Sequence, residues 1–238
     1  IKSIELHRKS IDARKKRDVH FILSFRVELT SPHLEREAVD SVAERDRSRV
    51  RAIEDDEPSF PSPASDVPQE RPVVVGAGCA GLFAALTLAE AGLKPLLIER
   101  GDPAFRRSQA IDLFLKERIL DPESNIQFGL GGAGTFSDGK LTTRVGDPLC
   151  AFVTGAFLDH GAPADIAWRQ KPHVGTDLLR DVIRSIRGEI ESLGGEVRFN
   201  TALTGLQIRN GALTGIDTTA GSVACEQLIL AVGHSARD

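Results

Sequence analysis

The pattern of hydrophobic and polar positions predicts three elements between residues 73 and 99. Valines at 73–75 are typical of a short buried parallel strand. The segment 82–91 is apolar on nearly all sides, as a helix buried against a sheet must be, and Gly92 is suited to cap its C-terminus. The run "KPLLIE" then indicates a second strand that ends at Glu99. The pattern predicts a strand, a helix and a strand in succession.

A similar pattern returns near the C-terminus. Apolar residues recur at helical spacing between Thr176, a suitable N-cap, and Gly194, a suitable C-cap. The strand "EVRFN" follows, and then two β runs are joined by Asn210-Gly211, a strong hairpin signal, with a further turn at 220–222. The apolar strand "QLILAVGH" comes last. These elements predict an α/β domain with a parallel sheet and a three-stranded meander.

The first 57 residues are charge-dense. The segment 18–29 and the first seven residues predict two strands, and the apolar spacing within 34–57 predicts one exposed helix. Between the strands lies a basic segment, interpreted as a solvated turn because residues 1–57 contain 13 basic and 13 acidic side chains. A phosphate-binding patch is the alternative.

Five prolines within 58–72 mark a linker and a domain boundary. We therefore predict a small α+β domain over 1–57, a linker over 58–71 and a larger domain over 72–238. The start of a substrate region is expected at about 145–172.

Composition limits the function classes. The chain has 238 residues, 41% of them hydrophobic, so it can bury the core of one large or two modest domains. A net charge of -4 gives no general attraction for nucleic acid. Three widely separated cysteines exclude a disulfide framework and no metal site is predicted. Because no apolar run is long enough to cross a bilayer, we expect a soluble protein. The cysteine usage fits a reducing compartment, so we expect the protein to be cytoplasmic.

The turn after the first predicted strand reads "GAGCAG", the GxGxxG pattern. Its first glycine permits a tight turn, the second lets amides approach a pyrophosphate, and the third lets the helix pack on the strand. An acid at the end of the second strand can bind ribose hydroxyls. The pattern predicts a dinucleotide site that uses Gly76, Gly78, Cys79, Ala80, Gly81, Glu99 and Arg100.

A second glycine cluster lies in "SNIQFGLGGAGTFSDGKLTTR", residues 124–144. Repeated glycines expose successive backbone amides that can bind an anion, and they let the backbone approach a flat ring closely. A flexible surface loop is the alternative. We predict cofactor contacts from Gly131, Gly132, Ala133, Gly134, Thr135, Ser137, Asp138 and Gly139, and from Gly233 after the last strand.

The order of helix, strand, meander and final strand resembles the FAD-binding fold of the glutathione-reductase type. With the loop "SNIQFGLGGAGTFSDGKL" and the segments "RKSIDARKK", "KPHVGTDLL" and "LILAVGHSARD", the chain is similar to a family of bacterial and plastid uncharacterised FAD-dependent dehydrogenases. The resemblance implies a Rossmann-like FAD-binding fold, a noncovalent flavin and NAD(P)H or an organic substrate as hydride donor. It also implies a longer protein, with a substrate domain and a closing glycine-Asp segment.

Two side chains are candidates for catalysis. Lys140 follows the glycine loop and can stabilise negative charge on a reduced flavin. His173 precedes a predicted helix, and the resemblance implies a position near the flavin, where it can transfer a proton; a structural or exposed histidine is the alternative. Relatives typically carry an acid where this chain has Leu130, so this loop lacks one carboxylate.

The sequence thus predicts an FAD-dependent oxidoreductase that acts on a small-molecule substrate or electron acceptor, with neither membrane nor nucleic acid as partner. Two alternatives stay open. One is an NAD(P)-binding dehydrogenase without flavin, and the other is a nucleotide-dependent binding or sensor module that uses the basic N-terminal segment.

Overall fold

The computed structural model describes residues 1–42, 46–53, 63–137, 139–143, 145, 147 and 149–233. The chain forms two compact units. The first comprises Ile1–Pro58, Leu141–Gly155 and Pro163–Pro172, and the second comprises Ser59–Lys140, Ala156–Ala162 and His173–Asp238. The sequence-based division at the proline-rich linker stays a prediction.

The first unit is built on an antiparallel pair of strands. Strand β1 (Ser3–Asp12) pairs with β2 (His20–Glu28), with a register shift between Leu6 and Arg8. Helix α1 (Pro32–Asp40) follows β2. Further along the chain, a 3-10 helix (Ala164–Ala167) leads to Arg169, which bridges in parallel to Lys9 of β1.

Two expectations for this unit are wrong. The basic segment is not a turn throughout, because β1 continues through Arg8 to Asp12 and only the residues after it form the connection. The helix predicted over 34–57 ends at Asp40, and residues 47–53 are not helical. The remaining part of that prediction includes residues 43–45 and 54–57, which lie outside the described residues.

The second unit contains a four-stranded parallel sheet. Its strands are β3 (Val73–Val75), β4 (Leu96–Ile98), β5 (Glu196–Arg198) and β9 (Leu228–Leu230), in the order β5-β4-β3-β9. All neighbouring pairs are parallel. The sequence prediction of an α/β fold with a parallel sheet is confirmed, and the arrangement is consistent with a Rossmann-like FAD-binding fold.

Three further strands form the predicted meander. They are β6 (Leu203–Arg209), β7 (Ala212–Thr218) and β8 (Gly221–Ala224), and both pairs are antiparallel. The hairpin turn has φ +53° at Asn210 and +79° at Gly211, as a tight primed turn requires. Ile216 and Cys225 pack in one core with Val73, Val75, Leu96 and Ile98.

The helices of the unit pack against the sheet and against each other. Helix α2 (Cys79–Glu90) contacts β3, β4 and β9 and lies beside α5 (Thr176–Ser192), which also contacts β5. The buried residues of α5 are its apolar stripe, Leu179, Val182, Ile183, Ile186 and Ile190. Helix α5 lies within about one residue of its predicted bounds, whereas α2 begins three residues before the predicted start at 82 and ends one residue before the predicted end at 91.

Two helices are not foreseen by the sequence pattern. Helix α3 (Ala104–Glu117) connects β4 to the glycine-rich segment, and α4 (Leu149–Asp159) lies further along the chain. A 3-10 helix (Ala133–Phe136) lies within the glycine-rich segment itself. Among the described residues, no helix combines the length and apolar character that a bilayer crossing requires.

Gly81, in the first turn of α2, packs directly against the turn that follows β3. A Cβ atom at this position would lie 1.7 Å from the carbonyl oxygen of Gly76. We predict that Gly81→Ala lowers the free energy of unfolding by about 1–3 kcal/mol because the helix must move away from the sheet. Urea denaturation measures the change.

Gly188→Ala is the matched control for this prediction. Gly188 lies in α5 with open space around the position of its missing Cβ, so alanine there is expected to stabilise the helix by about 0.5–1 kcal/mol. Equal effects of the two substitutions would contradict the packing argument.

Candidate cofactor site

The first glycine cluster forms the turn between β3 and α2. Gly76 has a φ of +97°, and its N–H donates to the Ile98 carbonyl at 2.8 Å. A Cβ at Gly76 would lie 2.5 Å from the Ala231 carbonyl oxygen, just after β9. The first and third glycines of the pattern are therefore required by contacts within the protein.

The second glycine of the pattern has a different surrounding. Gly78 is the N-cap of α2, and among the described residues no side chain caps this helix end. Apart from Gly78 itself, its chain neighbours and the backbone of α2, no described atom lies within 4 Å of the position that a Cβ would take. Cys79 and Ala80, in the first turn, are exposed. The first amides of a helix lack intrahelical acceptors and carry the positive end of the helix dipole. The open space and this donor set fit a diphosphate.

Glu99 binds the glycine turn directly. Its side chain follows β4 and is 5% exposed. Oε2 accepts the Ala77 N–H and Oε1 accepts the Gly101 N–H, both at 2.8 Å. Each carboxylate oxygen has a further lone pair for another donor. The carboxylate fixes the turn, and its predicted role toward a ribose stays a prediction.

The second glycine cluster lies against the first. The Gly131 N–H donates to the Ala77 carbonyl at 2.7 Å. A Cβ at Gly132 would lie 3.3 Å from the Gly78 Cα, and one at Gly134 would lie 4.0 Å from the Cys79 Sγ. The structure therefore brings together the two segments that the sequence assigned to one ligand. Their contacts with a cofactor stay predictions.

A buried arginine organises this loop. Arg107, on the buried side of α3, is fully inaccessible to solvent. Its guanidinium donates to the backbone carbonyls of Asn125 (2.8 Å), Ile126 (3.0 Å), Leu130 (2.6 Å) and Gly132 (2.9 Å). These four acceptors lie on both sides of the bend in the loop.

Burial changes the ionisation of this side chain. It lowers the pKa of Arg107 to about 10, an effect that the nearby Glu99 carboxylate opposes and the Arg180 cation reinforces. Arg107 therefore stays protonated at neutral pH. Its charge contributes positive potential beneath the glycine loop.

The aromatic ring of Phe136 contacts two cations. The guanidinium carbons of Arg107 and Arg180 lie 4.6 Å and 4.5 Å from the ring centroid. The Nε of Arg180 is buried and, among the described residues, has no hydrogen-bond acceptor. Together with the end of α2, these two cations contribute positive potential near the loop, while the Glu99 carboxylate contributes negative potential at the adjoining turn.

The two catalytic candidates are neighbours. Lys140 and His173 form an antiparallel bridge, and the adjacent Val174 N–H donates to the Gly139 carbonyl at 2.9 Å. Both side chains are exposed, and opposite residues of an antiparallel pair lie on the same side. The structure thus places a lysine and a histidine together at the end of the glycine-rich segment, and their catalytic roles stay predictions.

The remaining predicted residues have different positions. Ser137 contributes its carbonyl, which accepts the Thr176 hydroxyl at 2.8 Å, and Gly233 follows β9 with a φ of +77°. Thr135 is buried. Arg100 pairs with Glu123, with 2.8 Å from Nη2 to Oε1. Asp138 lies outside the described residues.

Leu130 is part of the core rather than the lining of the loop. Its side chain is 1% exposed, and its carbonyl accepts from Arg107 and from the Thr135 hydroxyl. The Leu130 side chain therefore does not line the surface of the loop. Among the described residues, no group of three or more His, Cys, Asp or Glu side chains has the arrangement of a metal site.

Comparison with known proteins identifies the segment that carries both glycine clusters. Residues 71–142 match the family model of the FAD binding domain. This segment is therefore similar to that domain family. This match confirms the sequence prediction of FAD as the cofactor for the kind of domain that the segment resembles.

Similar proteins extend over more of the chain. An uncharacterized protein of Clostridium beijerinckii is 45% identical over 240 residues, which is 100% of this chain and 44% of the relative. Digeranylgeranylglycerophospholipid reductase of Methanosarcina acetivorans is 27% identical over 181 residues, with 67% of this chain and 44% of the relative covered. The chain thus spans less than half the length of these two curated relatives.

A thioredoxin reductase of Lactococcus lactis is among the similar solved structures. It has 18% identity and a TM-score of 0.39, with 71% of this chain and 37% of that chain covered. Similarity at this level assigns no activity to the chain.

Arg107 is the residue that the sequence pattern missed. Hydrophobicity along α3 is misleading, because the arginine is buried while Phe105 is 75% exposed. Ile111 is the other buried residue of the helix and lies one turn later. Helical spacing from Ile111 is the one signal that could have placed Arg107 on the buried side.

The carboxylate of Glu99 should be essential for the shape of the glycine turn. We predict that Glu99→Gln lowers the free energy of unfolding by about 1–3 kcal/mol, because an amide can accept only one of the two backbone N–H groups. Chemical denaturation of the full-length protein checks this.

Glu117→Gln, at the exposed end of α3, is the control and should change stability by less than about 0.5 kcal/mol. A Glu99→Gln protein as stable as this control would show that the two N–H bonds are dispensable.

Proposed function

We propose that this protein is an FAD-dependent oxidoreductase that holds a noncovalent flavin in the second unit. The observation that carries the proposal is the uncapped N-terminus of α2, with open space at Gly78, facing the second glycine cluster across a direct hydrogen bond. Both features lie within the segment that matches the family model of the FAD binding domain.

The proposed binding mode assigns a role to each part of the site. The first amides of α2 bind the pyrophosphate, and Glu99 binds a ribose hydroxyl with its free lone pairs. The backbone of 131–134 lies along the flavin side of the cofactor. FAD supplies the capacity to accept a hydride, while the protein positions the cofactor and excludes water.

Electrostatics support an anionic ligand that becomes more negative on reduction. The end of α2, the buried Arg107 and the neighbouring Arg180 all contribute positive potential to the loop. We propose that Lys140 stabilises negative charge on the reduced cofactor and that His173 moves the proton, since the two lie opposite each other in one bridge. We propose a small-molecule substrate or an electron acceptor as the partner, and NAD(P)H as one hydride donor to the flavin.

The second glycine cluster favours FAD over a nicotinamide dinucleotide alone. A nucleotide bound only through a GxGxxG turn has no need of a second loop docked on that turn. Here Gly131 and Gly132 contact Ala77 and Gly78, which brings a second set of backbone groups to the same helix end.

The direct test is the cofactor content of the full-length protein. We expect the visible absorption of oxidised flavin in the purified protein, and FAD as the nucleotide released on denaturation. An apoprotein that binds added FAD is the equivalent result. A protein that binds NAD(P)H but neither contains nor binds FAD would contradict the proposal.

Substitutions at Gly78 locate the cofactor. Aspartate and asparagine are both good N-caps, have nearly the same size, and would have their Cβ in open space at this position, so we expect neither to destabilise the fold. Only Gly78→Asp puts a negative charge where the pyrophosphate is expected. We predict that Gly78→Asp binds FAD at least about tenfold more weakly than Gly78→Asn. Equal dissociation constants for the two variants, measured by flavin fluorescence, would place the pyrophosphate elsewhere.

A further inference from the structure

We propose that Arg107 is a positioning residue for the cofactor, which holds the glycine loop in its binding conformation over the N-terminus of α2. The inference rests on the proposed function and assigns a role to a side chain outside the two glycine motifs. Arg107 lies beneath the loop and acts through the backbone of 125–132.

The hydrogen-bond pattern is the first support. Asn125 and Ile126 supply acceptors before the bend, and Leu130 and Gly132 supply acceptors after it. A planar guanidinium has several N–H groups in fixed directions, so one side chain can hold both limbs at once. A lysine ammonium has no such fork and cannot reproduce this geometry.

The absence of a side chain at Gly129, in the bend, leaves room for the Arg107 side chain. Gly129 has a φ of +111°, and a Cβ there would lie 2.6 Å from the Arg107 Cδ. The loop therefore passes over the aliphatic part of the arginine with no room for a side chain between them. Loop and arginine form one packed element.

A short chain of contacts links Arg107 to the cofactor site. Its Nη2 donates to the Gly132 carbonyl, and Gly132 packs against Gly78, the N-cap of α2. The neighbouring Gly131 N–H binds Ala77. Loss of the arginine should release these loop residues from the helix end, while the core of sheet and α5 keeps its own apolar contacts.

The acceptors of Arg107 distinguish it from a simple structural ion pair. All four are uncharged backbone carbonyls. Among the described residues no carboxylate accepts a hydrogen bond from Arg107, and the Glu99 carboxylate acts on it only as a nearby charge. A buried cation without a hydrogen-bonded carboxylate is costly to bury. An anionic ligand bound above the loop would offset part of this cost by its attraction to the Arg107 cation. A neutral side chain at position 107 would have no such attraction for the ligand.

The experiment compares Arg107→Lys with Arg106→Lys in the full-length protein. Arg106 is the exposed neighbour on the same helix and serves as the matched control. We expect Arg107→Lys to raise the dissociation constant for FAD at least about tenfold and Arg106→Lys to leave it unchanged. Flavin fluorescence gives the affinity and urea denaturation gives the stability of each apoprotein.

Amide hydrogen exchange of the apoproteins adds a readout that does not depend on FAD. Arg107→Lys should increase exchange in 125–136 and leave β3 and α5 as protected as in the wild type. Arg107→Ala provides a second variant, in which millimolar methylguanidinium should restore FAD affinity and urea at the same concentration should not.

The outcomes separate this inference from the proposed function. A wild-type protein that fails to bind FAD overturns the proposed function and this inference with it. Wild-type binding with an unchanged affinity in Arg107→Lys overturns the inference alone. Increased exchange throughout the second unit, with no excess in the loop, also overturns it, because Arg107 would then serve only general stability.

Discussion

The hydrogen bond from the Gly131 N–H to the Ala77 carbonyl is the contact on which the candidate site depends. It joins two glycine-rich segments, and the chain between Ala77 and Gly131 forms two helices and a strand. The first segment alone is a turn between a strand and a helix, and the second alone is a glycine-rich loop, and both occur in many proteins. Joined, they surround the free N-terminus of α2 with additional backbone groups, and a long ligand can contact both.

Two buried charged side chains hold the two glycine-rich segments in place, one at each segment. Glu99 accepts two amides and thereby shapes the turn at Ala77, while Arg107 donates to four carbonyls and thereby shapes the loop. Each charge is stabilised mainly by backbone dipoles. The backbone, rather than side-chain pairing, therefore decides the form of the site, which explains why so many glycines are needed.

Local patterns were sufficient to predict most of the second unit. Apolar periodicity predicted α2 and α5, and the Asn210-Gly211 pair predicted the hairpin of the meander, because each of these signals acts within a few residues. The burial of Arg107 was not predictable in this way. Its partners lie about twenty residues away along the chain, and only the tertiary structure brings their carbonyl groups to the guanidinium.

The central claim is that both glycine clusters contact one ligand. Amide hydrogen exchange of the wild-type protein, with and without FAD, tests it most directly. We predict that peptides covering 76–82 and 129–136 gain protection together, with the same dependence on FAD concentration. Protection confined to 76–82, with unchanged exchange in 129–136, would contradict it.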